Sequence, residues 1–382
     1  MLISIGDRVH KSFRTAIAFS FLLELTFDKE IHFMSAPFSF ALPPELSAQA
    51  PAERRGIARD AVRLLIIHRD SFEVEHSRFD RLGTFLRPDD LLVFNSSRTL
   101  PAILNGCAIP NGPCLQVRLA QRLPDDTWLA LLLCQRSNSF DCGLQSGLEL
   151  KFGQNLTATV GDRDPNIPRL WQLRFSQSGT ALMNLLYRLG QPIRYEYVAA
   201  PWDLDDYQTV YAKEPGSAEM PSAGRAFTWK LLFDLKRRGI ETTDIVLHTG
   251  LSSYMDDELD ARHPVSEEAY FISEAAAKKI NQTRQAKGRI IAVGTTVVRA
   301  LESASDGQGQ IKPGQGYTRL HITADRALQT VDGLLTGLHE PQASHLDLLA
   351  AFLPPAIIQS AYTQAIQQGY LWHEFGDLNL IF

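Results

Sequence analysis

Apolar positions fall along this chain in runs of three kinds. Short unbroken runs, Leu64–His68 and Leu91–Phe94, predict strands buried on both faces. Longer stretches with helical spacing predict helices over ALMNLLYRLG ending at Gly190, and over TWKLLFDLKRRG with Leu231, Leu232 and Leu235 on one face and Gly239 as its stop. A further helix is expected over SEEAYFISEAAAKKINQTRQAKG, with Ser266 as N-cap and Glu268 in its first turn. Others are expected from about Val297 through Arg299 to Ser303, over HLDLLAAFL and over PAIIQSAYTQAIQQG. TDIVLHTG, RIIAVG and the closing GDLNLIF read as strands.

Residues 99–175 differ. They carry only short strand-like runs: CLQVRLA, TWLALLL, LELKFG, LTATV and WQLRF. Turn signals separate them at Asn111-Gly112, Pro124-Asp125 and Gly161-Asp162. A small closed antiparallel barrel leaves no exposed edge and is the simplest packing for such a set. The pattern therefore predicts an α/β domain (36–98 plus 176–382) interrupted by an inserted small antiparallel β-barrel domain (99–175), preceded by an N-terminal extension (1–35).

Composition narrows this little. The 382 residues are 45% hydrophobic and 21% charged, ordinary for a soluble globular protein with enough chain for a large core. No apolar run approaches the roughly 20 residues of a membrane helix. Ile17–Leu25 follows Lys11 and Arg14 as a signal peptide would, but it is short and no small-x-small cleavage site follows, so an N-terminal extension is the expectation. A cytoplasmic protein with reduced thiols is expected, because the gaps between Cys107, Cys114, Cys134 and Cys142 do not match structural zinc spacing. The net charge of −5 argues against a protein coated in nucleic acid, yet leaves room for a local basic groove. Two basic groups, Lys230/Lys236/Arg237/Arg238 and Lys278/Lys279/Arg284/Lys287/Arg289, are either solvated helix faces or phosphate-positioning surfaces.

Candidate chemistry gathers at strand ends, where open α/β sheets place ligands. VLHTG brings His248 and Gly250; AVGTTVVRALES brings Gly294, Thr295, Thr296, Arg299 and Glu302; LLTGLHEP brings His339. Arg299 and Glu302 share a helical face and read equally as a structural ion pair. Asp205–Thr228 mixes aromatics, Gly and Pro without periodicity, as ligand-covering loops do; Tyr207, Gln208 and Tyr211 within it could hydrogen-bond or stack.

At these residues the chain resembles the S-adenosylmethionine:tRNA ribosyltransferase-isomerase family of queuosine biosynthesis. The resemblance runs from about Phe40 to the C-terminus in ordered blocks: FALPPELSAQAPAERR, LRPDDLLVFNSSRTLPAIL, DYQTVYA, GSAEMPSAGRAFT, LHTGLSSY, RIIAVGTTVVRALES, VDGLLTGLHEPQASHLDLLAAF and FGDLNLI. It implies an α/β domain interrupted by a small β-barrel. It implies an enzyme, a transferase and isomerase of tRNA modification, that alkylates 7-aminomethyl-7-deazaguanine in a tRNA anticodon loop with the ribosyl group of S-adenosylmethionine. Adenine and methionine leave, and epoxyqueuosine remains in the tRNA. S-adenosylmethionine is then a consumed donor, no metal is expected, and the protein is expected to act as a monomer away from membranes. By the same resemblance His248, Arg299 and Glu302 take polar roles at the reacting centre, and Thr295 and Thr296 orient ribose or carboxylate groups. Tyr207, Gln208 and Tyr211, with Gly250, Gly294 and His339, would form the cofactor pocket.

Several positions depart from the family pattern. Ser96 stands for Asp, Asp206 for Arg, Arg225-Ala226 for Leu-His, Ser252 for Gly, Ser266 for His, Gly337-Leu338 for Asn-Phe, Glu340 for Leu and Gln342 for Lys. Two other readings are compatible with these departures: a paralogue using S-adenosylmethionine or a nucleoside on another substrate, and a catalytically silent RNA- or nucleotide-binding protein.

Overall fold

Strands with unbroken apolar sequence lie at the centre of the sheet, because only there are both faces covered. In the computed structural model, which describes residues 38–135, 140, 143–153, 155–255, 267–341 and 343–382, every residue of Leu91–Asn95, Ile290–Val293 and Leu378–Ile381 is buried. Val74–Arg78 and Gly314–Thr318, with mixed and mostly accessible side chains, take the two edges. The nine-stranded sheet runs Gly314–Thr318, Glu268–Ile272, Glu241–Leu247, Leu91–Asn95, Ile290–Val293, Gly333–Gly337, Leu378–Ile381, Arg63–Ile67, Val74–Arg78.

The direction of these strands positions the site. Glu241–Leu247, Leu91–Asn95, Ile290–Val293 and Gly333–Gly337 are mutually parallel, so their C-terminal ends share one edge. Leu378–Ile381 returns antiparallel with Leu378 opposite Gly337, Leu64 sits beside Leu378, and Arg63 faces Arg78. Alternation along each strand feeds two cores. Leu65, Ile67, Leu91 and Val93 pack under the helices Glu274–Gln285, Thr295–Ala304, His345–Leu349 and Pro355–Gln367. Leu64, Ile66, Leu92 and Phe94 pack on the other face with Phe227 and with Leu231 and Leu235 of the helix Trp229–Arg237.

A closed six-stranded barrel is inserted in this framework, in the order Leu170–Phe175, Trp128–Cys134, Cys114–Arg122, Ile103–Ile109, Glu149–Phe152, Leu156–Arg163. Its apolar interior continues into Leu182 and Leu186 of the helix Gly179–Leu189 and into Leu251 and Tyr254 just past the strand Glu241–Leu247. The barrel is thus packed against the edge of the sheet where the strand Glu241–Leu247 ends.

Several expectations are corrected. The helix expected to start at Ser266 begins later: Glu268–Ile272 is a strand, and Ser273, whose side chain accepts the Ala276 N–H, caps a helix over Glu274–Gln285. Tyr270, Phe271 and Ile272 favour a pleated strand, and partners on both sides, Val246–Leu247 and Gly314–Thr318, complete it. Gly161-Asp162 is no turn; it lies within Leu156–Arg163, opposite a register shift between Trp171 and Leu173. A glycine inside a strand at an irregular pairing is the mark of a bulge. The strand Ile103–Ile109 escaped the pattern because Asn105, Gly106 and Cys107 interrupt its apolar residues. Gly106 is required there, since a Cβ would come 2.6 Å from the Phe152 ring. Over HLDLLAAFL only His345–Leu349 is helical.

The thiols are also corrected. Cys107 and Cys114 face each other across adjacent antiparallel strands and are joined by a disulfide; Cys134 is disulfide-bonded as well. Residues 1–35, Cys142, Ser266 and Gln342 lie outside the described residues. Among the described residues, no helix is long and apolar enough to cross a membrane, and no group of three His, Cys, Asp or Glu could hold a metal.

Candidate active site

Asn95, at the end of its strand, binds three neighbours. Its amide donates to Leu247 O at 2.8 Å and to Thr296 Oγ1 at 3.4 Å, and its Oδ1 accepts the Leu247 and Ser97 N–H groups. One buried side chain therefore fixes the ends of two parallel strands and the start of the helix Thr295–Ala304. Gly294, between strand and helix, has φ +98°, a conformation that glycine adopts without penalty. Around it there is room: a Cβ would find its nearest neighbours at 3.5 Å (Thr296 Oγ1) and 3.6 Å (Ala223 Cβ). The first amides of the helix, those of Thr295 and Thr296, occupy positions that a helix leaves without intrahelical acceptors, with the positive end of its dipole behind them.

His248 follows the next strand end. Its Nδ1 lies 2.8 Å from Ser97 Oγ, which lies 2.6 Å from Ser217 Oγ; Ser217 Oγ accepts the Thr249 N–H at 3.0 Å. Burial holds the imidazole down to about 4, and Arg122 adds to the effect, so the ring is neutral at neutral pH. The backbone at Gly216 passes against this ring; a Cβ there would lie 2.4 Å from it. Gly250 runs past the barrel, its Cβ direction facing Ala120 O at 3.4 Å, and its N–H serves the Glu268 carboxylate.

The loop 205–228 covers this edge. Gln208 spends its amide on the chain, accepting the Thr99 N–H at 3.1 Å and donating to Thr99 O at 2.9 Å. Tyr211 packs on Phe94 and Phe227, and its hydroxyl lies against Gly224. Tyr207 differs: it is 4% exposed and packs on Phe375, and its hydroxyl is buried without a hydrogen-bond partner. Burial, with Glu374 as the leading nearby charge, raises its pKa.

The departures at 206 and 225 meet in space. Arg225, 4% exposed, donates from Nε to Asp206 O at 2.8 Å and from Nη2 to Glu53 Oε2 at 3.0 Å, with Asp206 Oδ1 at 3.9 Å. Arg54 holds the other side of Asp206 at 3.2 Å. Arg225, Arg59, Ser222, Gly337, His373, Glu374 and Phe375 line a pocket at the Gly337 end of the edge, with the Arg225 guanidinium engaged by Glu53 and Asp206. Gly337 itself has nothing within 4 Å of a Cβ. Glu340 is exposed and lies 3.6 Å from His373.

The remaining expected residues divide. His339 Nε2 lies 2.9 Å from Thr336 Oγ1, its ring stacks on His345 at 4.7 Å, and burial together with His345 and His373 keeps it well below the usual histidine range. Arg299 and Glu302 do not pair with each other. Arg299 pairs with buried Glu268 and donates to Leu320 O at 3.0 Å. Glu302, 3% exposed, spends both oxygens on the N–H groups of Gln329, Thr330 and Val331, so its carboxylate braces a loop rather than facing a ligand.

Sequence reasoning missed a polar and aromatic column beside the pocket. Tyr195 stacks on Tyr197, and Tyr197 stacks on His373 at 4.0 Å. The Tyr195 hydroxyl bonds Glu219 and Ser252, and the Tyr197 hydroxyl bonds Glu374. Burial pushes the Glu219 carboxyl up to about 7 against hydrogen bonds from Tyr195 and Ser252. Glu374 is likewise raised by burial. No spacing in the chain joins 195–197, 219, 252 and 373–374, so no sequence signal was available.

Comparisons with known proteins agree with one another. A family model described as queuosine biosynthesis protein matches residues 35–381. An S-adenosylmethionine:tRNA ribosyltransferase-isomerase from Symbiobacterium thermophilum is 38% identical over 352 residues, 90% of this chain and 98% of that protein. One of the same name from Moorella thermoacetica is 38% identical over 348 residues, with the same coverage of 90% and 98%. The crystal structure of an S-adenosylmethionine tRNA ribosyltransferase from Thermotoga maritima is similar with a TM-score of 0.51 and 28% identity, covering 91% of this chain and 100% of that one.

Proposed function

Because the chain belongs to the S-adenosylmethionine:tRNA ribosyltransferase-isomerase family of queuosine biosynthesis, we propose that the shared edge of its four parallel strands is where S-adenosylmethionine meets the modified base of a tRNA anticodon loop. The chain is an enzyme, and its reaction is the S-adenosylmethionine-dependent ribosyl transfer and isomerisation of that family, with S-adenosylmethionine consumed as the ribosyl donor. The relatives match nearly end to end, which favours this reading over a paralogue with another substrate or a silent binding protein.

The observation that carries the placement is the convergence of Asn95, His248, Gly294 and Gly337 on one edge, beside a pocket lined by Phe375, on which Tyr207 packs with a buried hydroxyl that has no partner. The residues fit the donor. The Thr295 and Thr296 amides suit a carboxylate or ribose hydroxyls, the Tyr207 hydroxyl has bonding capacity to spare, and Gly294 and Gly337 leave space. When bound, the sulfonium makes the adjacent C–H bonds acidic and the ribosyl carbon electrophilic. His248, held neutral, then serves as a hydrogen-bonding group at the ribose rather than a cation that would repel the sulfonium. Gln208, Tyr211 and Gly250 act through the loop and turn they fix, His339 through its contact with Thr336, and Arg299 and Glu302 as positioning residues of the helix that starts at Thr295. This reading keeps the protein with its tRNA in the cytoplasm and expects a monomer.

The test is to incubate the folded protein with S-adenosylmethionine and tRNA carrying 7-aminomethyl-7-deazaguanine. Release of adenine and appearance of epoxyqueuosine in the tRNA are expected; binding of both substrates without adenine release would overturn the reading.

A further inference from the structure

We propose that the groove lined by Arg63, His76, Ser77, Arg78, Arg81, Gln368 and Tyr370 seats the phosphodiester backbone of the RNA substrate away from the reacting nucleotide. The inference deepens the reading above and rests on RNA being the substrate.

Position is the first argument. Leu378 faces Gly337, Leu64 lies beside Leu378, and Arg63 faces Arg78, so the groove opens on the edge of the sheet that carries the site. Val62 lines the pocket at Gly337 and its chain neighbour Arg63 lines the groove, so both open at the start of the strand Arg63–Ile67. A strand of RNA with one base at the sheet edge would pass along Arg63 and Arg78.

Charge is the second. Three guanidinium groups border the groove, against two carboxylates: Asp80, held by Arg78 at 3.1 Å in an exposed pair of little strength, and buried Asp377, which accepts the Arg63 N–H at 2.7 Å and whose carboxyl burial pushes up. Arg81 is exposed and pairs with no carboxylate among the described residues. Arg63 is oriented by its bond to Gln368 O and by the Tyr370 ring, 5.3 Å from its guanidinium carbon; His76 Nδ1 lies 3.0 Å from the Tyr370 hydroxyl. Arginine forks match phosphate oxygens in pairs, and such contacts position an RNA without reading its sequence. In a chain of net charge −5, a cluster of this kind gives the local attraction that phosphates need.

The basic groups most evident in the sequence suit this role less. Lys230 and Arg237 both pair with Asp234, Lys279 pairs with Glu241, Arg284 donates to Thr330 O, and Arg289 forks onto buried Asp90. These five side chains are engaged within the fold.

The experiment measures binding of a tRNA transcript to the full chain across a salt series, for the wild type, Arg78→Ala/Arg81→Ala and Arg78→Lys/Arg81→Lys. The alanine pair is expected to weaken binding about tenfold or more and to lower the slope of log Kd against log salt by roughly 1–2, with the lysine pair between it and wild type. Melting temperature should hold, because both side chains are exposed, and the KM for tRNA should rise more than kcat falls. Unchanged affinity and salt slope in the alanine pair overturn the proposal, as does an equal loss from Lys230→Glu/Lys236→Glu on the helix face. A wild type that binds tRNA but releases no adenine would sink the catalytic reading alone; one that binds no tRNA would sink both.

Discussion

At the scale of single residues, Arg225 and Asp206 change what their substitutions mean. Each breaks the family pattern, and from the chain each looks like damage to a substrate loop. In the fold they meet, with Glu53, Arg54 and Arg59 around them, and satisfy one another. Burial would raise the Glu53 carboxyl, but Arg59 and Arg225 hold it down to about 2. A depressed carboxylate contributes stability that is present above its unfolded pKa and lost as pH falls through the folded value. The stability gap between wild type and Glu53→Gln, from urea melts, is therefore expected to be full above roughly pH 4.5 and to close as pH falls towards 2; a gap independent of pH would contradict this. Arg299 supports a second prediction. Its pair with Glu268 is buried, so Arg299→Ala strands a carboxylate and is expected to cost about 3–5 kcal/mol. Arg299→Lys keeps the charge but not both bonds, and should cost less in the same melts. Residue identity was legible at these positions, but the partner was not, because residues 53, 206 and 225 are joined only by folding.

Elements were legible where one period dominates. Unbroken apolar strands and helices closed by Gly190 and near Gly239 stand where the pattern puts them. The reading failed at Glu268–Ile272, where helix formers on both sides hid a strand that only its sheet neighbours stabilise. Local caps remain decisive: Thr228 accepts the Leu231 N–H at 3.1 Å, and Thr228→Ala should cost about 1 kcal/mol in a chemical melt. The loop before it offers a sharper test. A Cβ on Gly224 would lie 1.8 Å from the Tyr211 hydroxyl, so Gly224→Ala must displace the covering loop. Adenine release by that variant is expected to fall about tenfold or more, in line with the sensitivity of turnover to displacements of about 1 Å. Adding Tyr211→Phe removes the clashing oxygen and should restore part of the rate; no recovery would mean that the loop is disturbed some other way.

Across the whole molecule, the barrel and the sheet edge share one apolar cluster, in which Leu251 and Tyr254 join the barrel interior. Leu251→Ala is therefore expected to cost about 2–5 kcal/mol and to lower the transitions reported by Trp128 in the barrel and Trp372 against the sheet together. Separate melting of the two probes would show that the barrel is not energetically tied to the site. The chain by itself determined the class of the fold, an α/β framework interrupted by a small barrel, because hydrophobic period and turn chemistry are local and survive substitution. It also determined which strand ends carry polar groups, and through its ordered blocks the family and its reaction. Tertiary structure alone decided which of those groups have bonding capacity left. Gln208 and Glu302 spend theirs on backbone, while the Tyr207 hydroxyl does not. It also brought Arg63 beside Arg78 and Arg81 along one groove. The reason is physical: a polar group's availability depends on what burial and neighbours have already claimed, and neighbours distant in sequence are assigned only when the sheet closes.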